Sequence, residues 1–582
     1  MKFYITTLLI FFLFQISFSQ NWPTIGGKNQ RNGLSKIVGP DSISSPYWSV
    51  VSAPTQIGNS VFTYGDHFVT SRSVFNPYTS KIECRSLVDG SLKWEMMASS
   101  SSRMFAIGFS EDAVYAHDYL TDSLYALSPI DGSILWAIKE TNVFGGNTGI
   151  LFAENGDPIL RGKRLDRRTG QTKWFYNYIV PVMPNAGYAA KDSTFYHYSG
   201  SISTPKKLFA LDIRNGQLKY ESQSLPGDAD QEWPITIGID GTIYLKRDGG
   251  KLYAFQDTGN QLVIKWEYTP SATEMPGWFA NDKEGNLYII DNDTVKLLDK
   301  NNGSLIKKSN IRIKSSFFPN ISVDNDGKVY VNNNEAALGK MVCLSPDLQN
   351  VIWELNVPYI TYCGPALAKD GILIVKGSGN NIRAYKTAKN SKPVADFRVS
   401  KRDILTGTSV SFFDQSSFNP TSWQWFFQGG TPSTSNLKNP TNIRYDQPGV
   451  YEVRLVVSNS LGSDTLIKKS YIYVDNPSFV DNDILTEEIT LFQNFPNPFN
   501  PTTNISWSSK ISGFTTLKIY DILGNEITTL VNEFKEAGYH TIEFNNSTQL
   551  PSGVYFYQLS IHNNEGSESN KFRKTMKMVI MK

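Results

Sequence analysis

Hydrophobic and polar positions recur in one repeated order over most of the first 390 residues. Each copy has a short apolar alternation, a turn around glycine, and a further strand that usually carries a tryptophan. Clear copies are LYALSPIDGSILW (124–136), LFALDIRNGQLKY (208–220) and LYAFQDTGNQLVIKW (252–266). Alternation with a period of two predicts strands, and a repeat of this length predicts an array of small identical sheets.

The tryptophan, or the residue in its place, marks eight copies. These positions are Trp48, Trp94, Trp136, Trp174, Tyr220, Trp266, Lys307 and Trp353. Trp48 and Trp353 are 305 residues apart over seven intervals, about 44 per repeat, which is the length of a propeller blade. Further strands precede each turn, as at 241–245 and 285–290, so four strands per blade are predicted.

The two ends of the array are complementary. The last repeat stops at 381–386 without its tryptophan strand, and Trp48 has no strands before it. We therefore predict that the strand around 47–50 completes an eighth blade and closes the ring, which leaves no open edge. Seven blades is the alternative, because the Lys307 copy is degenerate. Each indole is expected to wedge between neighbouring blades with its N–H on a backbone carbonyl.

The first nineteen residues have the pattern of an export signal. Lys2 precedes an apolar run at 5–14, and Ser17 and Ser19 are small, so cleavage is predicted between Ser19 and Gln20. The apolar run is shorter than the ~20 residues that span a bilayer. No later segment is long and apolar enough either, so no transmembrane segment is expected in the mature protein.

Composition narrows the function further. Aromatic residues make up 13% and charged residues 19% of the 582 residues, a balance that favours β-sheet. The net charge is +2 and no basic stripe is present, so nucleic acid is not an expected partner. Three cysteines cannot form a disulfide framework, and alignment of the repeats places Cys84 and Cys343 in small buried strand positions.

No constellation for catalysis or metal binding stands out. The five histidines are far apart, without zinc spacing, and no nucleophile elbow or phosphate loop is present. The acidic runs at 289–294 and 323–327 lack the spacing of a calcium loop and are interpreted as turns, where Asn and Asp tolerate left-handed backbone. We therefore predict no catalytic, cofactor-binding or metal-binding residues.

The turn-and-tryptophan repeat, with the opening WPTIGGKNQRNGLS (22–35), resembles the PQQ-like propeller superfamily. That superfamily includes quinoprotein alcohol dehydrogenases and a non-enzymatic outer-membrane assembly lipoprotein. The resemblance implies a propeller over residues 20–388. The dehydrogenases hold PQQ with a vicinal disulfide and Ca²⁺, whereas this chain has no adjacent cysteines, so no cofactor is expected. A PQQ-dependent oxidoreductase, or a hydrolase with a site in the channel, is the alternative.

A different pattern of alternating strands occupies residues 391–475. Tyr451, Val453, Leu455 and Val457 alternate with more polar positions, as in a strand with one buried face. Together with Trp425, these residues resemble a PKD-type domain, an immunoglobulin-like sandwich, for which we predict the role of a rigid spacer, with a binding module as the alternative. Residues 476–488 are acidic and polar and are predicted to be a linker.

The last segment, 489–582, closely resembles the type A sorting domain of type IX secretion, a second sandwich. The matching positions are Pro496, Asn497, Pro498, Tyr520, Asp521, Gly524, Gly553, Val554, Tyr555 and Lys577. The resemblance implies export to the periplasm and passage across the outer membrane by the type IX machinery. The cargo is then secreted or attached to the cell surface.

These patterns predict an exported, all-β protein: an eight-bladed propeller followed by two immunoglobulin-like sandwiches. The expected function is non-catalytic. The propeller is predicted to be a scaffold whose loops bind an unidentified protein or polysaccharide.

Overall fold

The computed structural model describes most of the chain. The described residues are 21, 23–24, 27–51, 61–75, 78–98, 103–140, 149–160, 162–176, 187–199, 206–225, 235–246, 251–271, 279–314, 321–333, 339–357, 366–376, 381–475, 489–491, 494, 497, 499–509, 512–536, 538–546, 550–562 and 571–580. The predicted signal peptide with Ser19 and Gln20, the predicted linker, Cys363, Pro496 and Pro498 lie outside them. The chain divides into two compact units, Met1–Asn476 and Pro477–Lys582.

Eight four-stranded antiparallel sheets, here called blades 1 to 8, form the described part of the repeat region. Blades 1 to 4 consist of β2 Phe62–Tyr64, β3 His67–Phe75, β4 Tyr78–Ser86, β5 Leu92–Met97; β6 Met104–Phe109, β7 Val114–Asp118, β8 Ser123–Leu127, β9 Ile134–Lys139; β10 Leu151–Phe152, β11 Pro158–Leu160, β12 Lys163–Leu165, β13 Thr172–Phe175; and β14 Tyr188–Lys191, β15 Thr194–Ser199, β16 Lys207–Asp212, β17 Leu218–Glu221.

Blades 5 to 7 continue in chain order. They consist of β18 Ile235–Ile237, β19 Ile243–Lys246, β20 Leu252–Asp257, β21 Leu262–Tyr268; β22 Ala280–Asn281, β23 Leu287–Asp291, β24 Thr294–Leu298, β25 Leu305–Arg312; and β26 Ser322–Val323, β27 Val329–Asn333, β28 Lys340–Leu344, β29 Val351–Asn356. The first strands of the blades are almost wholly buried, whereas the fourth strands are largely exposed, so the first strand of each blade is the inner one.

Blade 8 joins the two ends of the repeat region. Three of its strands come from the end, β30 Ala366–Ala368, β31 Ile372–Lys376 and β32 Asn381–Lys386, and the fourth is β1, Trp48–Val51. Trp48 is paired with Ala384 and Val50 with Ile382. Side chains of blade 8 share one apolar cluster with Phe68 of blade 1 and another with Trp353 of blade 7. The predicted completion of this blade by the strand near 47–50 is confirmed.

The indoles lie where the repeat predicts. Each of the six tryptophans is between 5 and 9% exposed. The Nε1–H of each donates to a carbonyl oxygen of the next blade at 2.8 to 3.0 Å, for Trp48 to Leu87, Trp94 to Pro129, Trp136 to Arg167, Trp174 to Ile213 and Trp266 to Lys300. Trp353 donates to Pro40, which precedes the borrowed strand β1.

Glycine in the turn of the next blade makes room for the indole ring. A Cβ atom placed on Gly132 would lie 2.6 Å from Trp94, and one on Gly170 would lie 2.6 Å from Trp136. Both glycines also have a positive φ, 76° and 72°, which other residues adopt at a cost. The glycine of the repeat therefore has two roles. It adopts the positive φ that the turn of its own blade requires, and it leaves room for the indole ring of the previous blade.

Two copies keep the contact between blades without an indole. The hydroxyl of Tyr220 donates to Asp257 Oδ1 at 2.6 Å, and Asp257 begins the turn of blade 5. The Nζ of Lys307 donates to the Pro346 carbonyl oxygen in the turn of blade 7. Tyr220 and Lys307 therefore both keep a side-chain hydrogen bond from the outer strand of one blade to the turn of the next blade.

Each of the two described cysteines is the cross-strand partner of a tryptophan. Cys84 is paired with Trp94 and Cys343 with Trp353, as Ala126 is paired with Trp136. Neither cysteine is exposed, and burial raises the pKa of the Cys84 thiol to about 12. The predicted role as small buried residues is confirmed for both.

The sandwich after the propeller has three sheets. They consist of β33 Phe397–Val399 with β36 Phe412–Asp414; β34 Asp403–Leu405, β42 Gly462–Asp475, β41 Gly449–Asn459, β37 Ser422–Phe427 and β39 Thr434–Ser435; and β35 Thr408–Val410, β40 Ile443–Tyr445 and β38 Gly430–Thr431. Trp425 is completely buried at its centre, against Phe397 and Phe412. A 3-10 helix, Lys369–Gly371, interrupts the strands of the first unit.

The second unit is a smaller sandwich of two sheets. They consist of β43 Ile489–Leu491, β44 Thr502–Ser509 and β47 Gly538–Asn545; and β46 Glu526–Lys535, β45 Gly513–Tyr520, β48 Gly553–His562 and β49 Lys571–Ile580. Trp507, Leu517, Tyr557 and Met578 are among the side chains that form its core.

Replacing Trp136 with alanine is expected to lower the free energy of unfolding by about 3–5 kcal/mol, because a buried indole and its hydrogen bond would be lost together. Leu135→Ala is the matched control, since this neighbour in the same strand is 44% exposed. Urea denaturation of both variants measures the difference. Equal losses in the two variants would show that the indole does not hold the blades.

Candidate functional site

One end of the propeller channel is occupied by the chain itself. Residues 27–39, here called the channel segment, follow the ends of the inner strands from blade to blade. Inner-strand N–H groups donate to carbonyl oxygens of the segment: Ala190 to Asn29, Ile237 to Gln30, Asn281 to Asn32 and Val323 to Gly33, at 2.8 to 2.9 Å. The free edges of these inner strands are thereby paired, as a buried edge requires.

Side chains of the channel segment extend the pattern to blade 3. Asn29 accepts a hydrogen bond from Phe152 N and donates one to the Phe152 carbonyl oxygen. Arg31 is fully buried, donates to the Gly149 carbonyl oxygen at 2.7 Å and lies 4.7 Å from the centre of the Tyr188 ring. Burial lowers the pKa of the Arg31 guanidinium from its usual value. The segment is therefore a packed part of the fold.

Close approach explains the glycine in the middle of this segment. Gly33 has φ of +58°, and a Cβ atom there would lie 2.4 Å from the Ile321 carbonyl oxygen. The predicted turn at 323–327 is confirmed and has a second use: Asp324 accepts hydrogen bonds from the turn amides of Asp326 and Lys328 and also from Gly39 N. Asn292 and Asp293 in the other acidic run have positive φ, as predicted for turn residues.

The PKD-like sandwich packs against the same end of the propeller. The turn after the inner strand of blade 2 supplies Glu111 and Asp112, and the sandwich supplies Arg402 and Lys468. Arg402 Nη1 lies 2.7 Å from Asp112 Oδ2, and Lys468 Nζ lies 3.2 Å from Glu111 Oε2. The sandwich is therefore docked on the propeller and forms one unit with it, and its role as a rigid spacer stays a prediction.

Further groups complete this charged interface. Glu111 accepts hydrogen bonds from the hydroxyls of Tyr471 and Tyr64, at 2.5 and 3.1 Å. Burial would raise the pKa of the Glu111 carboxyl, but the Lys468 and Arg402 charges hold it below its usual value. Burial dominates at Asp396, and it raises the pKa of that carboxyl despite the Lys468 charge. The interface thus holds ionised groups that compensate one another in a largely dry environment.

The start of the described chain joins this interface. Asn21 Nδ2 donates to Asp396 Oδ2 at 2.6 Å, and its Oδ1 accepts a hydrogen bond from Gly65 N of blade 1. Lys36, in the channel segment, pairs with Asp464 of the sandwich at 3.1 Å. Segment, propeller and sandwich therefore contact one another at a single end of the ring.

Several sorting-domain positions act within the domain. Asn497 Oδ1 accepts a hydrogen bond from Val579 N at 2.8 Å, which ties the segment near the motif to the last strand. Asp521 Oδ1 accepts hydrogen bonds from the N–H groups of Leu523 and Asn525, and Gly524 completes the turn with φ of +85°. The Tyr555 hydroxyl donates to the Pro551 carbonyl oxygen. These positions fix turns and strand ends.

Four other positions of the predicted motif belong to the second sheet. Tyr520 ends β45, Gly553 and Val554 begin β48, and Lys577 lies in β49, where it is paired with Phe556. Val554 and Lys577 are exposed, and Tyr520 is half-buried.

Histidine, cysteine and acidic side chains are the remaining candidates for a metal site. Within the described ranges, no group of three or more His, Cys, Asp or Glu side chains could hold a metal ion. His117 lies in a second strand, with Nε2 3.0 Å from the Glu140 carbonyl oxygen, far in sequence from His540. No helix in the part of the chain that the structure describes is long and apolar enough to cross a membrane.

Family models match three segments of the chain. Residues 80–309 match the model for outer membrane protein assembly factor BamB, residues 390–474 the PKD domain, and residues 493–574 the secretion system C-terminal sorting domain. The three resemblances are therefore confirmed: the chain carries a PQQ-like propeller, a PKD domain and a type IX sorting domain. The sorting domain indicates export to the cell surface or the medium. No curated protein matches the chain.

Solved propellers are among the similar structures. BamB from Moraxella catarrhalis is 13% identical, with 58% of this chain and 99% of that chain covered and a TM-score of 0.41. The WD40 propeller domain of Doa1 is 11% identical, covers 58% and 96%, and has a TM-score of 0.33. The Dos1 propeller is 11% identical, covers 59% and 97%, and has a TM-score of 0.38. None of these likenesses carries an argument about function.

The sequence predicted neither the channel segment nor the interface between the propeller and the PKD-like sandwich. The signal for the segment is its run of glycine and short polar residues, which suits a backbone threaded close to other backbones. The interface residues come from turns in blades 2 and 3 and from distant strands of the sandwich, and no spacing in the sequence relates them.

Lys468→Met is expected to lower the free energy of unfolding by about 3 kcal/mol, because Glu111 and Asp396 would lose a compensating charge in a buried interface. Lys469→Met is the control, since Lys469 is exposed and adjacent. Urea denaturation of the full chain measures both. A loss no larger than that of the control would contradict the assignment of Lys468 to the interface.

Proposed function

We propose that the mature protein is a non-catalytic binding protein, exported by the type IX machinery, whose propeller presents the end opposite the channel segment to a protein or polysaccharide ligand. The observation that carries this proposal is the occupation of the other end. There the channel segment pairs with the inner strands, and the sandwich covers the same end through Arg402 and Lys468.

Because the channel segment occupies one end of the propeller channel, a ligand site in the channel would not open at both ends of the ring. Arg31 is fully buried at this end and is held by the Gly149 carbonyl oxygen and the Tyr188 ring. A substrate entering here would have to displace backbone hydrogen bonds to four blades. This supports a rigid, closed base rather than an enzyme entrance at that face.

The opposite end of the ring has a different character. The second strands of the blades run away from the covered end and finish with buried polar side chains such as His117, His197, Asn332 and Lys376. Lys376 Nζ of blade 8 donates to Thr70 Oγ1 and the Ser71 carbonyl oxygen of blade 1. The Lys376 contacts link blades 8 and 1 at this end and support a fixed hydrogen-bonding framework there, which suits recognition of a hydrated ligand.

Export by the proposed route requires two signals. The predicted signal peptide would deliver the chain to the periplasm, and the sorting domain would then direct it across the outer membrane. Surface attachment and release into the medium are both compatible with this proposal.

Deleting residues 489–582 is expected to leave the protein in the periplasm, because the sorting domain would be missing while the signal peptide remains. Fractionation of the native host with detection of the propeller measures the distribution. The intact protein is the control, and both must show the same protease resistance of the propeller. Unchanged amounts at the surface or in the medium would contradict the export role.

The mature protein is expected not to bind PQQ in the presence of Ca²⁺ and not to reduce a dye with alcohols, because its sequence has no adjacent cysteines to form the vicinal disulfide with which quinoprotein dehydrogenases hold PQQ. Absorbance titration and a dye assay measure this, with a quinoprotein dehydrogenase as positive control. Stoichiometric PQQ binding would replace the non-catalytic proposal with the oxidoreductase alternative.

A further inference from the structure

The larger sheet of the sorting domain has one face that packs into the core and one outer face. Its strands are ordered β46-β45-β48-β49. Leu517, Ile519, Tyr557 and Leu559 point into the core and are completely buried. The alternate residues of the same strands form the outer face, because successive side chains of a strand point to opposite sides of the sheet.

Apolar side chains lie at both ends of that outer face: Phe514 and Phe534 are paired at one end, and a larger group lies at the other. Tyr520 is paired with Phe556 on the neighbouring strand, and Val554 is paired with Val579. Ile522 and Leu523, in the turn after Tyr520, are 69% and 82% exposed. We call these six residues, Tyr520, Ile522, Leu523, Val554, Phe556 and Val579, the outer patch. The middle of the same face is polar, with Thr516, Lys518 and Gln558.

The turn that carries the most exposed members is ordered by its own hydrogen bonds. Asp521 binds the N–H groups of Leu523 and Asn525, and Asn525 Nδ2 donates to Asp521 Oδ2 at 2.8 Å. An apolar pair held in a fixed conformation at a turn loses little conformational entropy when a partner covers it. Exposed apolar residues that are contiguous, unlike scattered ones, mark contact surfaces.

Charge beside the patch specifies the partner further. Strand β49 contributes the exposed Lys577 and, farther from the patch on the same face, the exposed Arg573, and it contains no acidic residue. Lys577 is directly next to Phe556 of the patch. Two acidic residues lie near the patch: Asp521 accepts hydrogen bonds from the turn N–H groups of Leu523 and Asn525, and Glu526 is paired with Lys518 at 2.7 Å. A partner with carboxylates bordering an apolar recess would match this distribution.

We propose that the outer patch, with Lys577 at its border, is the surface by which the sorting domain docks on an acidic-rimmed, apolar recess of a type IX secretion component. This rests on the proposed export function. Two groups of motif positions follow from it. Asn497, Asp521 and Tyr555 hold the domain together, whereas Tyr520, Val554 and Lys577 contact the partner.

The test uses the full-length protein in its native host. The paired substitution Ile522→Ser and Leu523→Ser is expected to reduce the surface and medium level about tenfold, with matching periplasmic accumulation, as for loss of a hot-spot contact. Lys577→Gln is expected to reduce export in the same direction, and Lys577→Arg to retain it, because only the second keeps the charge.

Phe534→Ser is the matched control, since this aromatic residue is 47% exposed on the same sheet but at the opposite end. Melting temperatures of the purified variants show that folding is unchanged. The single Lys577 substitutions, at an exposed position, keep the test decisive if the paired variant unfolds.

Deletion of residues 489–582 separates the two proposals. Normal export of the patch and Lys577 variants, while the deletion blocks export, would overturn the docking surface and leave the export function intact. Normal export of the deletion itself would overturn both. Equal loss of export in Phe534→Ser and the patch variants would also overturn the docking surface.

Discussion

The hydrogen bond and ring contact between one blade's tryptophan and the next blade's turn is the interaction on which the architecture depends. A single repeat unit cannot bury its hydrophobic face alone and depends on its neighbours for stability. The indole connects each sheet to its neighbour through a carbonyl oxygen and a glycine that leaves room for the ring. Because the same contact recurs from Trp48 to Trp353, blade stability is shared around the ring.

The exceptions show which part of this contact is indispensable. Tyr220 and Lys307 replace the indole and bury less apolar surface, yet each donates a hydrogen bond to the turn of the next blade. At the junction of the ring, Pro40, the residue directly after the channel segment, supplies the acceptor for Trp353. The chain that occupies the channel end thus leads directly into the contact that closes the ring. Closure and the covered end are consequently coupled.

Repeated features could be predicted from the sequence, and singular ones could not. The blade strands, the tryptophan positions and the buried strand positions of Cys84 and Cys343 recur at a fixed spacing along the chain. The completion of blade 8 follows from the same repeat, because its last copy lacks the strand that Trp48 supplies. The channel segment occurs once, and its bonds join Asn29 to Phe152 and Asn32 to Ile237, far apart in sequence. The pairing of Arg402 with Asp112 is equally non-local. Long-range pairs without periodicity leave no pattern along a single chain. The outer patch could be predicted in part, since Tyr520, Val554 and the bordering Lys577 belong to the sorting-domain motif. Separating these residues from the motif positions that act within the domain required the strand register.

The propeller has one end covered by the channel segment and the PKD-like sandwich, on a chain that also carries a type IX sorting domain. Hydrogen exchange of the tryptophan indole N–H groups, followed by NMR on the mature protein labelled at tryptophan, tests the central claim most directly. Slow exchange at Trp136 and Trp266, each assigned by substitution with phenylalanine, is the predicted result. Exchange of both at the rate of a free indole would mean that these rings are not held between blades, and the closed ring would have to be abandoned.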